Sequence, residues 1–269
     1  MIHRAGLPAL MATLCALAAV AAGATTREVT FGARGHVAGQ LDRPDGAGPF
    51  PLVVLLPAAG FDRDGTSRDL TALRRIYLPL VKAANDAGWA VFRYDWTRGG
   101  PTRKDDVDRA LAGIRTALDL PGVDPTRVVL VAHGAGGQVL RTGYPEFEEA
   151  IGYRALAGVV LLASDIGPQT GGRMAGDLVV IMSRANMPEA IAEATSAVAV
   201  HRRSMPDRRA EVLLLDGSNL ALCDTADTAW RGWNGLPGSG RLRVEIGERL
   251  GKLLRDIAAE TAPPVQAGR

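Results

Sequence analysis

V-V-L-V-A-H-G-A-G-G-Q, residues 128–138, is the stretch on which the fold turns. Val128 to Ala132 form a continuous apolar run, the mark of a strand buried on both faces. His133 and Gly134 then fall where the chain must turn sharply, and Ala135, Gly136 and Gly137 open a glycine-rich helix start. The reading is strand, tight turn, helix, with the residue at the turn lifted above the strand's carboxyl end. That residue is Gly134, so the turn is present and its side chain is absent.

Outward from this centre the same alternation repeats. Residues 51–56, 89–94, 157–163, 178–182 and 210–215 are short apolar runs that read as buried strands. Between them, residues 70–87, 105–118, 136–143, 144–153 after Pro145, and 188–203 carry helical spacing, and residues 241–260 read as an amphipathic closing helix. Asp124-Pro125 is expected to turn the chain into the central strand. Asp105, Asp106 and Asp108 sit in a helix's first turn, where they complement its dipole. Residues 27–31 and 36–41 alternate around Gly32 to Gly35 and predict an N-terminal hairpin. The fold class is therefore α/β, a mainly parallel central sheet with helices on both faces. Only the short Gly-rich run 164–177 could form a lid, so any lid is minimal.

The 269 residues are 47% hydrophobic and 22% charged, which suits one globular domain. The net charge is +2, and no dense Lys/Arg run marks a nucleic-acid surface. Residues 1–24 read as a signal peptide: Arg4, an Ala/Leu-rich apolar run, and Ala22-Gly23-Ala24 as a small-x-small cleavage site. The expected division is signal 1–24, domain 25–261 and a loose tail 262–269, with a periplasmic or secreted location and no membrane span after cleavage. A retained N-terminal anchor is the alternative. Of Cys15 and Cys223, only Cys223 would survive cleavage, so neither an intrachain disulfide nor a Cys-based metal site is expected.

Three stretches carry a resemblance. Residues 55–65, L-L-P-A-A-G-F-D-R-D-G, look like the oxyanion loop often written G-S-G-P-x-D-R-D-G. Residues 92–100, F-R-Y-D-W-T-R-G-G, are similar to R-Y-D-x-R-G-x-G. Residues 123–137 are similar to V-D-P-x-R-V-x-L-V-G-H-S-x-G-G. Together they resemble the α/β-hydrolase superfamily, near its serine aminopeptidase-like and dipeptidyl-peptidase-like esterase branch. The resemblance spans residues 51–163 well and the remainder in strand order. It implies that the turn at Gly134 is the nucleophile elbow G-x-S-x-G.

That resemblance also implies a serine, an acid and a histidine acting together. At those three places stand Gly134, Asn186 and Leu220. Displaced candidates are Ser164 and Asp165 at the end of a strand, and His133 beside the elbow. His133 is expected to be a packed core histidine, because the residue before the nucleophile usually points into the sheet. Gly134-x-Gly136 is a weak dinucleotide signal, since Val139 holds the third glycine's place, and no cofactor is expected. A pocket at the strand ends remains, drawn from Ala59, Gly60, Phe61, Trp96, Arg98, Ala135, Gly136, Arg184 and Asn219. It could take a small anionic or carbonyl-bearing ligand at the helix's amino end. Against this stands a vestigial pocket in which Arg63 pairs with Asp62 or Asp64, and Arg98 with a neighbouring acid. Three functions stay open: a non-catalytic hydrolase relative with a binding or accessory role, an active hydrolase of esters or amides using displaced residues, and a protein-interaction module.

Overall fold

The structure is a computed structural model and describes residues 25–32, 36–67, 75–96, 103–224 and 241–261. The expected signal, residues 1–24, the expected tail, residues 262–269, and Arg98 lie outside the described residues. The strands are β1 (Thr25–Phe31), β2 (Val37–Arg43), β3 (Phe50–Leu56), β4 (Ala90–Tyr94), β5 (Val123–His133), β6 (Leu156–Leu162), β7 (Asp177–Ser183) and β8 (Ala210–Leu215). They form one eight-stranded sheet in the order β1-β2-β4-β3-β5-β6-β7-β8. β1 and β2 are the expected hairpin, β2 runs antiparallel to β4, and every later pairing is parallel.

The helices are α1 (Leu78–Asp86), α2 (Arg103–Leu118), α3 (Ala135–Ile151), α4 (Gly167–Gly171), α5 (Pro188–Ser204) and α6 (Val244–Thr261). Strand periodicity divides the core in two. Leu52, Val54 and Leu56 of β3 join Val128, Leu130 and Ala132 of β5 beneath α2, α3 and α5. Val53 and Leu55 join Val129 and Val131 beneath α1 and α6. By the same parity His133 belongs to the α1–α6 face. On that face Trp89 is fully buried, and its indole N–H donates to the Leu254 carbonyl of α6 at 3.1 Å.

Several boundaries differ from the sequence reading. Pro145 does not divide a helix, because α3 runs unbroken from Ala135 to Ile151 with the proline inside it. Tyr144, Phe147 and Ile151 are buried around it, so the apolar contacts outweigh the one backbone bond the ring removes. α1 begins only at Leu78, with Pro79 in its first turn, where a missing N–H leaves no partner unmet. Asp124-Pro125 lies within β5, whose pairing register shifts opposite Pro51/Leu52. The run 164–177 contains α4, whose Gly171 packs closely on Ala197 of α5. Among the described residues no helix is long and apolar enough to cross a membrane.

Candidate functional site

The loops that follow the carboxyl ends of the parallel strands meet around Gly134, where ligands bind in open α/β sheets. Gly134 caps α3 with φ 51° and ψ −117°, a left-handed backbone that only glycine meets without strain. Its N–H donates to the Leu162 carbonyl of β6 at 2.9 Å, and its own carbonyl accepts from Gly137. A Cβ added at Gly134 would lie 3.4 Å from the Ala58 Cβ, an ordinary contact. Gly136 is different: a Cβ there would strike the Leu56 carbonyl, so β3 and α3 touch through backbone.

The loop after β3 is folded by its own side chains. The Asp62 carboxylate accepts the N–H groups of Asp64 at 2.9 Å and Thr66 at 2.8 Å. Tyr77 and Ile76 then dock by backbone bonds to Asp64 and Gly65. This carries the Tyr77 side chain into the α1–α6 core, fully buried, with its hydroxyl accepting the Ala58 N–H at 2.9 Å. The same hydroxyl lies 3.0 Å from His133 Nδ1. The Ala221 backbone favours the protonated ring, as an acceptor of the Nε2 proton does, and with that proton on Nε2 the Tyr77 hydroxyl donates to Nδ1. The ring's other hydrogen bond is to the Ala221 backbone, in the loop after β8. His133 is thus a buried neutral link. It joins the loop after β3, the start of α1 and the loop after β8, and it packs edge-on against Phe61 and Tyr77. Burial pushes its ring down to about 4, against a weaker opposite effect of Ala221, and pushes the Tyr77 phenol far up.

The other candidates fall as follows. Ser164 is buried, with its Oγ pressed against Gly137, and its hydrogen bond is to the Asp165 carbonyl at 3.4 Å. Among the described residues no imidazole or carboxylate is bonded to that hydroxyl. Asp165 faces Arg141, which also holds Glu193 at 2.9 Å. Burial, then Glu193, raises its carboxyl above the ordinary range. Phe61 is buried, and its carbonyl accepts the Trp96 N–H at 2.9 Å, which ties the loops after β3 and β4 together. Among the described residues no group accepts from the Ala59 or Ala135 amides. Arg184 points to the surface and pairs with Asp216 at 2.7 Å, both exposed. Asn219 is buried, and its Oδ1 accepts the N–H groups of Ala221 and Cys223, so it knots the loop after β8. Leu220 is left outside that knot, 37% exposed. Asn186 Oδ1 is a buried acceptor without a partner among the described residues.

Arg63 corrects one expectation. Its guanidinium pairs with Glu28 of β1 at 3.1 Å rather than with Asp62 or Asp64, because Asp62 is engaged with its own loop. Asp64 pairs instead with Arg93, which the sequence reading did not single out. Arg93 is 3% exposed, holds Asp42 of β2 at 2.6 Å and donates to the Arg63 carbonyl at 3.0 Å. It anchors the loop after β3 to the sheet. Its one signal in sequence was the R-Y-D run that includes it.

A family model described as the alpha/beta hydrolase family matches residues 53–264. No curated protein matches the chain in sequence. Among solved structures, the chain is similar to a dienelactone hydrolase-like promiscuous phosphotriesterase from metagenomic libraries, with 18% identity and a TM-score of 0.58 over 88% of this chain and 98% of that one. It is similar to a carboxyl esterase of the mycorrhizal fungus Tuber melanosporum, at 13% identity and a TM-score of 0.58 over 91% and 89% of the two chains. It is also similar to a dienelactone hydrolase from Anabaena variabilis, at 14% identity and a TM-score of 0.57 over 86% and 98%.

Proposed function

We propose, from the premise that this chain belongs to the alpha/beta hydrolase family, that it holds a small carbonyl- or anion-bearing ligand at the elbow and does not cleave it. The observation that carries this reading is Gly134: the elbow's backbone angles are kept while the residue that would attack has no side chain. Asn186 and Leu220 stand where an acid and a histidine would complete the reaction. The buried histidine beside the elbow is committed to Tyr77 and Ala221 and is held neutral. The Ala59 and Ala135 amides, at the positive end of α3, supply the donors for a ligand oxygen. In the same reading residues 1–24 direct export and the mature protein acts outside the cytoplasm as a binding or accessory protein.

The test is turnover of a short-chain p-nitrophenyl ester and an aminoacyl anilide by the mature chain, with a fluorophosphonate label beside it. The expected result is no turnover above buffer and no label, together with a rise in melting temperature with a carboxylate or phosphate ligand. Turnover with a labelled residue such as Ser164 would overturn the non-catalytic reading. Absence of any thermal shift would overturn the binding one.

A further inference from the structure

The two edges of the sheet are built differently. β1, at one edge, reads T-T-R-E-V-T-F, and its first four residues are exposed. Such polar and charged residues protect an edge from pairing. β8, at the other edge, reads A-E-V-L-L-L, and its last five residues are half-buried. Nothing in that strand is a proline or a lysine.

The ladder with β7 fixes which β8 groups face outward. Arg209 and Leu215 carbonyls accept from Leu178 and Arg184, so the odd-numbered residues of β8 bond to β7. Successive backbone groups alternate along a strand, so Ala210, Val212 and Leu214 direct theirs away from the sheet. The Ala210 carbonyl is capped by Arg202 Nε at 2.8 Å. Among the described residues, the N–H and C=O groups of Val212 and Leu214 have no partner. Beside them lies a notch of 420 Å³ lined by Leu213, Leu214, Leu215 and four charged residues of α6, Glu245, Glu248, Arg249 and Lys252.

We propose that β8 pairs antiparallel with β8 of a second copy of this chain, about a twofold axis at Leu213. In that register Val212 and the partner's Leu214 exchange two backbone hydrogen bonds, and the symmetric pair exchanges two more. Leu213 meets the partner's Leu213 on the α6 face, where facing side chains approach most closely. The twofold sets the two α6 helices side by side and antiparallel. Glu248 of one copy then faces Arg249 of the other, while Glu245 and Lys252 keep their own-chain partners Arg243 and Asp256. A self-complementary patch of this kind is what an isologous dimer requires. An unrelated extended peptide would satisfy the backbone but would bring no partner for Glu248 and Arg249, which line the notch beside it.

The proposal is tested on the mature chain by sedimentation velocity from about 1 to about 100 µM, with hydrogen exchange of the 210–216 peptide over the same range. A dimer is expected, with the Val212 and Leu214 amides slowed about tenfold or more as concentration rises. Val212→Pro removes an outward N–H and leaves the β7 ladder intact, so it is expected to stay folded and become monomeric. If that variant does not fold, the concentration-dependent exchange of the native chain decides. Leu213→Lys, which sets two like charges on the axis, is then expected to give a folded monomer. A native monomer at about 100 µM would overturn the proposal. So would a dimer whose Val212 and Leu214 amides exchange freely, or protection of those amides in a monomer, which would mean that the chain covers its own edge. A dimer that survives Val212→Pro would overturn it as well.

Discussion

At Gly134 the chain makes a positive-φ turn that carries no side chain. The space is still there, so Gly134→Ser is expected to fold, at a cost of about 1 to 2 kcal/mol for a side chain at positive φ, read by denaturant unfolding. It is expected to gain no esterase activity alone, because Leu220 offers no base; a rate above the native chain's would show that another group serves. His133 makes a sharper forecast. Its ordinary value is 6.5, and burial, outweighing the opposite effect of the Ala221 backbone, brings the folded value to about 4. The unfolded chain therefore takes the proton first. This contribution to stability is complete above pH 6.5, falls as the pH drops from 6.5 to about 4, and levels off below, for a total of about 3 kcal/mol. In His133→Asn that slope is expected to flatten in urea midpoints measured across the same window. Tyr77→Phe strips the partner from both Ala58 N–H and His133 Nδ1, and is expected to cost about 2 to 4 kcal/mol by the same measurement. A loss below about 0.5 kcal/mol would show that the hydroxyl bonds are not made. Gly134 was readable in the sequence because its neighbours form a local pattern. The Tyr77 bond to His133 was not, since 56 residues separate the partners and only the fold brings them together. Arg63 and Glu28, 35 residues apart, escaped for the same reason.

The elements were legible where burial is two-sided. β3, β6, residues 128–132 of β5 and residues 178–182 of β7 are continuous apolar runs, the mark of strands buried on both faces. Helix ends were less legible, because a proline's meaning depends on where it falls. Pro79 and Pro188 lie in the first turns of α1 and α5, whereas Pro145 lies within α3. Packing by Tyr144 and Phe147 decides that last case, and nothing local in the sequence announces it. The contact between β3 and α3 sets the elbow's height above the sheet. Gly136→Ala pushes a methyl into the Leu56 carbonyl and is expected to cost about 3 kcal/mol or more, well beyond Gly134→Ser. Equal melting temperatures for the two variants would count against a backbone-to-backbone contact at Gly136.

Across the whole molecule, one buried cation joins parts that are distant in sequence. Arg93 on β4 pairs with Asp42 of β2 and with Asp64 of the loop after β3, so the hairpin, the sheet and the site's first loop share one anchor. Burial opposes its charge, and Asp42 and Asp64 outweigh that opposition. Arg93→Met strands Asp42 without a counterion, and about 3 to 5 kcal/mol is expected to be lost, with any ligand-induced thermal shift reduced as the loop loosens. A thermal denaturation profile unchanged from the native chain would show the anchor to be idle. At the other end of β4, the last helix reports on itself. Trp89 lies fully buried with its indole bonded to Leu254, so its fluorescence senses whether α6 is seated. A helix that lifts would wet the indole and shift that emission to the red, giving the protein a built-in optical gauge of how firmly its closing segment is held.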